Sequence, residues 1–81
     1  MITEEQLKDE VRKIVSDIIE MDPEKVDIDA RFVEDLGTDS MMALEILAAL
    51  EKRYRINIPE EELPKVKTLR DTIELVKRYV K

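Results

Sequence analysis

The sequence predicts an all-α fold: a small antiparallel bundle of three longer helices and one short helix, with a long first loop. Three observations carry this. The chain of 81 residues holds one glycine and three prolines, so long stretches are free of the two residues that most oppose a helix interior. Apolar residues recur at three- and four-residue spacing in three segments, the signature of a helix with one buried face. Between the first two of these segments, residues 22–38 show no sustained period and scatter Val26, Ile28, Phe32, Val33 and Leu36 among acids. The length allows one domain, residues 1–81, with a modest core and little room for an enclosed active site.

The first helix is announced by Thr3 with Gln6 three residues on, a capping box, and by Glu4 and Glu5 at the positive helix end. Leu7, Val11, Ile14, Val15, Ile18 and Ile19 share its inner face, and Pro23 stops the pattern. The long loop follows, pinned by its apolar residues, with room for a short helical turn near Ala30–Glu34. A second helix begins at Asp39–Ser40. Met41, Leu44, Leu47, Ala48 and Tyr54 mark one face, widened by Ile46 and Leu50; so broad an apolar face belongs at the centre of the core or against a partner. Asn57-Ile58-Pro59 breaks it. Pro59 opens a short third helix over Glu60–Leu63, limited by Pro64. Thr68 with Asp71 caps the last helix, whose stripe is Leu69, Ile73, Val76 and Val80, with Lys77, Arg78 and Lys81 at its negative end. Leu7, Val11, Ile14, Leu44, Leu47, Leu50, Ile73 and Val76 are the expected core.

Composition narrows the function. The net charge is -6, with 42% charged and 43% hydrophobic residues, too apolar for a disordered acidic tail. The balance disfavours nucleic acid, whose backbone attracts Lys and Arg. Residues 22–40 carry seven acids against two bases, whereas residues 51–81 carry nine bases and six acids. The run MMALEILAAL is interrupted by Glu45 and too short to span a bilayer. The opening MITEEQLKDE lacks a basic-then-apolar signal pattern, and a cytoplasmic location is expected. There is no Cys and no His, which removes a thiolate, the commonest general base and the commonest metal ligand.

Ser40 therefore lacks what a nucleophilic serine needs. No G-x-S-x-G elbow surrounds it, and Ala43 stands where S-x-x-K requires Lys. Asp27 and Asp29 begin like a calcium loop, but Arg31, Phe32 and Thr38 occupy ligand or glycine positions. Gly37 is alone, so there is no glycine-rich phosphate cradle. No catalytic residue and no resident metal set is expected. Taken as a dipeptide, Asp39-Ser40 is a helix cap, with Gly37 supplying the tight backbone before it.

In its wider setting, DLGTDSMMALEILAALEKRYRINIP resembles the acyl carrier protein family. The family pattern is D-x-G-x-D-S-[LM], then an apolar helix containing Glu, an aromatic, and an I-P step into a short helix. Here those positions are Asp35, Gly37, Asp39, Ser40 and Met41, then Leu44, Glu45, Leu47 and Leu50, then Tyr54, then Ile58-Pro59. The helix lengths and the long acidic loop agree too, so the resemblance covers nearly the whole chain.

The resemblance implies that Ser40 receives 4'-phosphopantetheine from coenzyme A through a magnesium-dependent phosphopantetheinyl transferase, and that the arm's thiol carries acyl groups as thioesters. Asp35, Gly37, Asp39 and Met41 complete the expected attachment site, with the two acids read by the transferase. Met42, Glu45 and Glu51 are the expected docking residues for synthases and acyltransferases. Fatty acid biosynthesis is the expected setting and a monomer the expected state, with no membrane insertion. The alternatives are a polyketide, peptide or aminoacyl carrier, or an unmodified helical interaction module. Two departures stand out. Met42 and Ala43 replace the acidic or polar residues usual after D-S-L, and Lys52, Arg53 and Arg55 replace much of the acidic cluster usual further on. Both imply a specialised carrier with its own partners.

Overall fold

The computed structural model describes residues 3–80, with Ser40 described by its backbone alone. The chain order is helix α1 (Glu4–Ile19), a 3-10 turn (Pro23–Lys25), helix α2 (Ser40–Tyr54), a 3-10 helix (Glu60–Lys65) and helix α3 (Leu69–Tyr79). This is the expected small helical bundle. Among the described residues the only sheet-like pairing is an isolated antiparallel bridge between Arg31 and Thr68, and no helix is long and apolar enough to cross a membrane.

Both expected capping boxes form. Thr3 Oγ1 accepts the Gln6 N–H at 3.1 Å while Gln6 Oε1 accepts the Thr3 N–H at 3.0 Å. Thr68 Oγ1 accepts the Asp71 N–H at 3.1 Å, and Asp71 Oδ2 accepts the Thr68 N–H at 3.2 Å. Each box satisfies two donors that the helix itself cannot.

The end of α1 differs from the expectation. Pro23 does not stop it. The helix ends at Glu20, which takes a left-handed conformation (φ 58°) and donates its N–H to the Ser16 carbonyl. Pro23 then starts a separate 3-10 turn, where Asp22 Oδ1 accepts the Glu24 N–H at 3.2 Å.

The core gathers Leu7, Val11 and Val15 of α1, Ile46, Leu47 and Leu50 of α2, and Leu69, Ile73, Leu75 and Val76 of α3. α1 packs on both other long helices. Ile14 lies half-buried beside this core. The buried face of α2 is a correction to the sequence reading: Met41 and Leu44 are 70% and 44% exposed, and Ala48 is exposed too. At 100° per residue these three lie opposite Ile46 and Leu50, with Leu47 at the border between the two faces. A helix apolar on nearly all sides does not itself choose its inner face; packing against α1 does.

The loop between α1 and α2 is ordered by backbone bonds to a distant segment. Phe32 donates its N–H to the Lys67 carbonyl at 2.8 Å, and Arg70 donates its N–H to the Ile28 carbonyl at 2.9 Å. The Arg70 guanidinium grips both oxygens of Asp29, at 2.7 and 3.2 Å. Val26 and Phe32 are buried by this arrangement. The short helical turn falls on residues 31–36, where Asp35 and Leu36 both donate to the Arg31 carbonyl. The 3-10 helix runs two residues past Leu63 and contains Pro64. It is anchored by Glu62, only 7% exposed, whose Oε2 accepts the Tyr79 hydroxyl at 3.0 Å.

Candidate functional site

Ser40 is the first residue of α2, and the turn that leads the chain to it begins at Phe32. Thr38, buried, donates its N–H to the Phe32 carbonyl at 2.9 Å, which closes the loop over residues 32–38. Gly37 turns the chain with φ 69°, a value that L-residues with a Cβ avoid. Asp39 is the N-cap: its Oδ1 accepts the Met42 N–H at 3.0 Å, and its carbonyl accepts the Ala43 N–H at 3.2 Å. Capping by Asp39 and the serine's place at the helix start are thus one device. The N–H groups of Ser40 and Met41 have no carbonyl a turn earlier in the helix to receive them, which favours negative charge there.

The remaining expected site residues separate. Asp35 is turned back into the loop, where its Oδ2 accepts the Arg31 N–H at 2.9 Å. That bond, helped by the Arg31 side chain 3.5 Å away, holds the Asp35 carboxyl below its usual range. Met41 is exposed, and Met42 is half-buried. Glu45 is exposed. Glu51 is half-buried, with Oε2 accepting the Ile58 N–H at 2.9 Å. Ser40 is described by its backbone alone, as the first residue of α2.

The family resemblance implies an acyl crevice bordered by the short third helix, and a hollow does lie there; its lining by the loop and the start of α2 goes beyond that expectation. A half-open hollow of about 420 Å³ lies between the loop, the beginning of α2 and the segment 63–67. Phe32, Val33, Ala43, Leu63, Pro64 and Val66 give it apolar walls, and Arg31, Glu34, Asp39 and Lys67 stand around them. Arg31 is ion-paired with Glu34. The volume falls within the range of about 300–1,000 Å³ usual for small-molecule pockets. Its walls come from segments far apart in sequence, tied by the Phe32–Lys67 bond, which no local pattern signals. Among the described residues no group of three acids is placed to hold a metal ion.

The chain can thus present a residue at a capped helix start beside an apolar hollow. A phosphodiester attached there meets backbone donors and the positive helix end, so the local structure suits such a group.

Comparison with known proteins gives concordant results. The family described as "Phosphopantetheine attachment site" matches residues 9–76. An acyl carrier protein of Thermosynechococcus vestitus is 37% identical over 98% of this chain and 98% of its own length. Polyketide-8 synthase acyl carrier protein 2 of Streptomyces avermitilis is 44% identical over 85% of this chain and 79% of its own. Among solved structures, the apo doublet acyl carrier protein from prodigiosin biosynthesis superposes with a TM-score of 0.82 at 21% identity, over 94% of this chain and 37% of that one. At that identity the likeness concerns the fold.

Proposed function

The chain belongs to the acyl carrier protein family, whose members hold a covalent 4'-phosphopantetheine group, and from that premise we propose that Ser40 is the attachment residue. The observation that carries this reading is the position of Ser40 as the first residue of α2, directly after the N-cap Asp39 and next to the apolar cavity. The modification joins the serine oxygen to the phosphorus of the pantetheine half of coenzyme A and breaks the pyrophosphate P–O bond, so that adenosine 3',5'-bisphosphate leaves and the hydroxyl proton is released. When attached, the group supplies a terminal thiol for thioesters, which a chain without cysteine lacks.

In this reading the chain's own residues hold and present. Asp39 fixes the helix start, and Gly37 lets the loop reach it. The free N–H groups of the first turn favour the phosphate. The apolar walls of Phe32, Leu63 and Val66 offer shelter to the acyl end of a short cargo. Asp39 leads the acidic surface that the transferase reads, and Asp35, engaged by Arg31, contributes less. Glu45, exposed on α2, is the best supported of the expected docking residues. Met42 and Glu51 contribute less, being half-buried. The protein acts as a monomeric carrier, not a catalyst, in the cytoplasm, delivering acyl groups to synthases and acyltransferases. One relative is named for a polyketide synthase, and the greasier, less acidic α2 supports a specialised pathway over general fatty acid biosynthesis.

The test is incubation with coenzyme A, magnesium and a broad-specificity phosphopantetheinyl transferase, read by intact mass. One added phosphopantetheine, about 340 Da, is expected on the wild type and none on Ser40→Ala. No gain, or a gain that survives the substitution, refutes the assignment.

A further inference from the structure

The exposed face of α2 carries two signals in sequence along its axis. Met41, Leu44, Glu45, Ala48 and Lys52 are all exposed; Met41, Glu45, Ala48 and Lys52 follow one another at three- and four-residue steps with Leu44 beside them, and Arg55 continues the line at the C-cap. They form one stripe, about 16 Å from Met41 to Lys52 at the helical rise. The end beside Ser40 is apolar. Of the three large apolar side chains exposed among the described residues, Met41 and Leu44 lie on it, and the third, Val33 (65% exposed), lines the neighbouring cavity. The other end is basic.

The charges on this helix sort into engaged and available ones. Glu51 is engaged by the Ile58 N–H. Arg53 pairs with Glu10 at 3.1 Å, and its guanidinium carbon lies 5.7 Å from the Tyr54 ring centroid. Lys52 and Arg55 make no ion pair among the described residues. The free charges of the stripe are therefore one negative, Glu45, and about 10 Å further along the axis two positive, Lys52 and Arg55.

We infer that this stripe docks acyl-processing enzymes that offer an apolar depression to Met41 and Leu44 and acidic side chains to Lys52 and Arg55, and that those two bases select against enzymes with a basic docking surface. The inference rests on the carrier reading above and adds the partner's chemistry to it. Charge complementarity carries it. An enzyme surface rich in Lys and Arg gains from Glu45 but meets two like charges a few residues on, and like-charge contacts both weaken the complex and slow encounter. A surface basic at one end and acidic at the other satisfies the entire stripe, while the apolar end supplies area that leaves water.

The experiment uses the modified protein, acyl-loaded, with a purified ketoacyl synthase chosen for a Lys- and Arg-rich surface around its active-site mouth. Wild type, Lys52→Glu/Arg55→Glu and the neutral Lys52→Gln/Arg55→Gln are compared, after intact mass shows each to be modified and circular dichroism shows each folded. The expected result is a KM lower by about fivefold for the double Glu variant, with the Gln variant between, and a steeper loss of activity with salt for the Glu variant. A KM equal across all three overturns this inference while leaving the carrier reading intact. Absence of the mass gain overturns both. Sedimentation of the modified wild type provides the rival outcome: a concentration-dependent dimer abolished by Met41→Asp places a second copy of the chain on the stripe and overturns the enzyme assignment.

Discussion

The Glu51 carboxylate accepts the backbone N–H of Ile58 at 2.9 Å, across the left-handed turn that ends α2. Ile58 is buried, and Pro59 follows it, so this N–H sits where the chain has left one helix and not begun the next. A side chain that could have faced a partner is instead holding the exit of α2.

Glu51→Ala should therefore cost stability. Removing the acceptor leaves a buried donor without a partner, a loss of about 1–2 kcal/mol. Glu51→Gln keeps an acceptor oxygen and should retain most of that. Urea denaturation reads the difference as a lower midpoint with an unchanged slope. Equal midpoints for the Ala variant and wild type would show that the Ile58 N–H finds another acceptor.

Asp39 combines a cap with a charge, and the two can be parted. Asp39→Ala loses the bond to the Met42 N–H and should destabilise by about 1 kcal/mol, whereas Asn is as good an N-cap as Asp. Asp39→Asn should thus fold with wild-type stability yet be modified by the transferase more slowly, because the negative charge is gone. If Asp39→Asn is modified at the wild-type rate, Asp39 is a cap alone.

Gly37 tests the backbone in isolation. Its φ is 69°, and a Cβ built there meets nothing within 4 Å. Gly37→Ala should then cost only the left-handed conformation itself, about 1 kcal/mol, with no steric addition. A loss well beyond that, measured by thermal or urea unfolding, would mean that the loop needs glycine for more than its dihedral angle.

What the sequence made legible follows the range of the forces involved. Helix starts depend on residues three apart, and Thr3–Gln6, Asp39–Met42 and Thr68–Asp71 were all readable. The end of α1 was not, because Glu20 adopts a left-handed cap without being Gly or Asn. The inner face of α2 was read in part: Leu47 and Leu50 are buried as expected, but Met41, Leu44 and Ala48 are not, because apolar residues surround much of the helix and packing against α1 makes the choice. The serine motif was legible as a short pattern. The lining of the cavity beside it was not, since Phe32 and Lys67 meet only in the fold.

Acid should weaken the protein through Glu62 among others. The Tyr79 hydroxyl is the main cause that lowers the Glu62 pKa from its ordinary 4.5, with Lys65 and Arg78 adding to it against the effect of burial. A depressed folded pKa contributes stability that is present above the ordinary value and is lost as pH falls through the folded one. Asp29, held down by Arg70, and Glu4, held down by Lys77, act in the same direction. Tyr79→Phe should make the decline in stability below about pH 4.5 shallower. An acid limb as steep as in the wild type would mean that Tyr79 does not set this titration.

Alkali offers the converse test through Tyr54. Burial, then a hydrogen bond from its hydroxyl to Glu10 Oε1 at 3.0 Å, raises its pKa to about 12, while Arg53 pulls the other way. The Tyr79 pKa is raised too, mainly by its bond to Glu62. The chain has two tyrosines and no tryptophan, so phenolate absorbance follows these two groups alone. A folded pKa above the unfolded one contributes stability that is complete below about 10 and declines as pH rises toward the folded value. Both tyrosines should therefore ionise later than a free tyrosine, and stability should fall between about pH 10 and about pH 12. Tyr54→Phe should remove the later part of the absorbance rise. Glu10→Gln should move it to lower pH without bringing it to the free value, because burial, the larger cause, is untouched. A Tyr54 step at the free-tyrosine value in the folded protein would show that neither the burial of Tyr54 nor its Glu10 contact persists in solution.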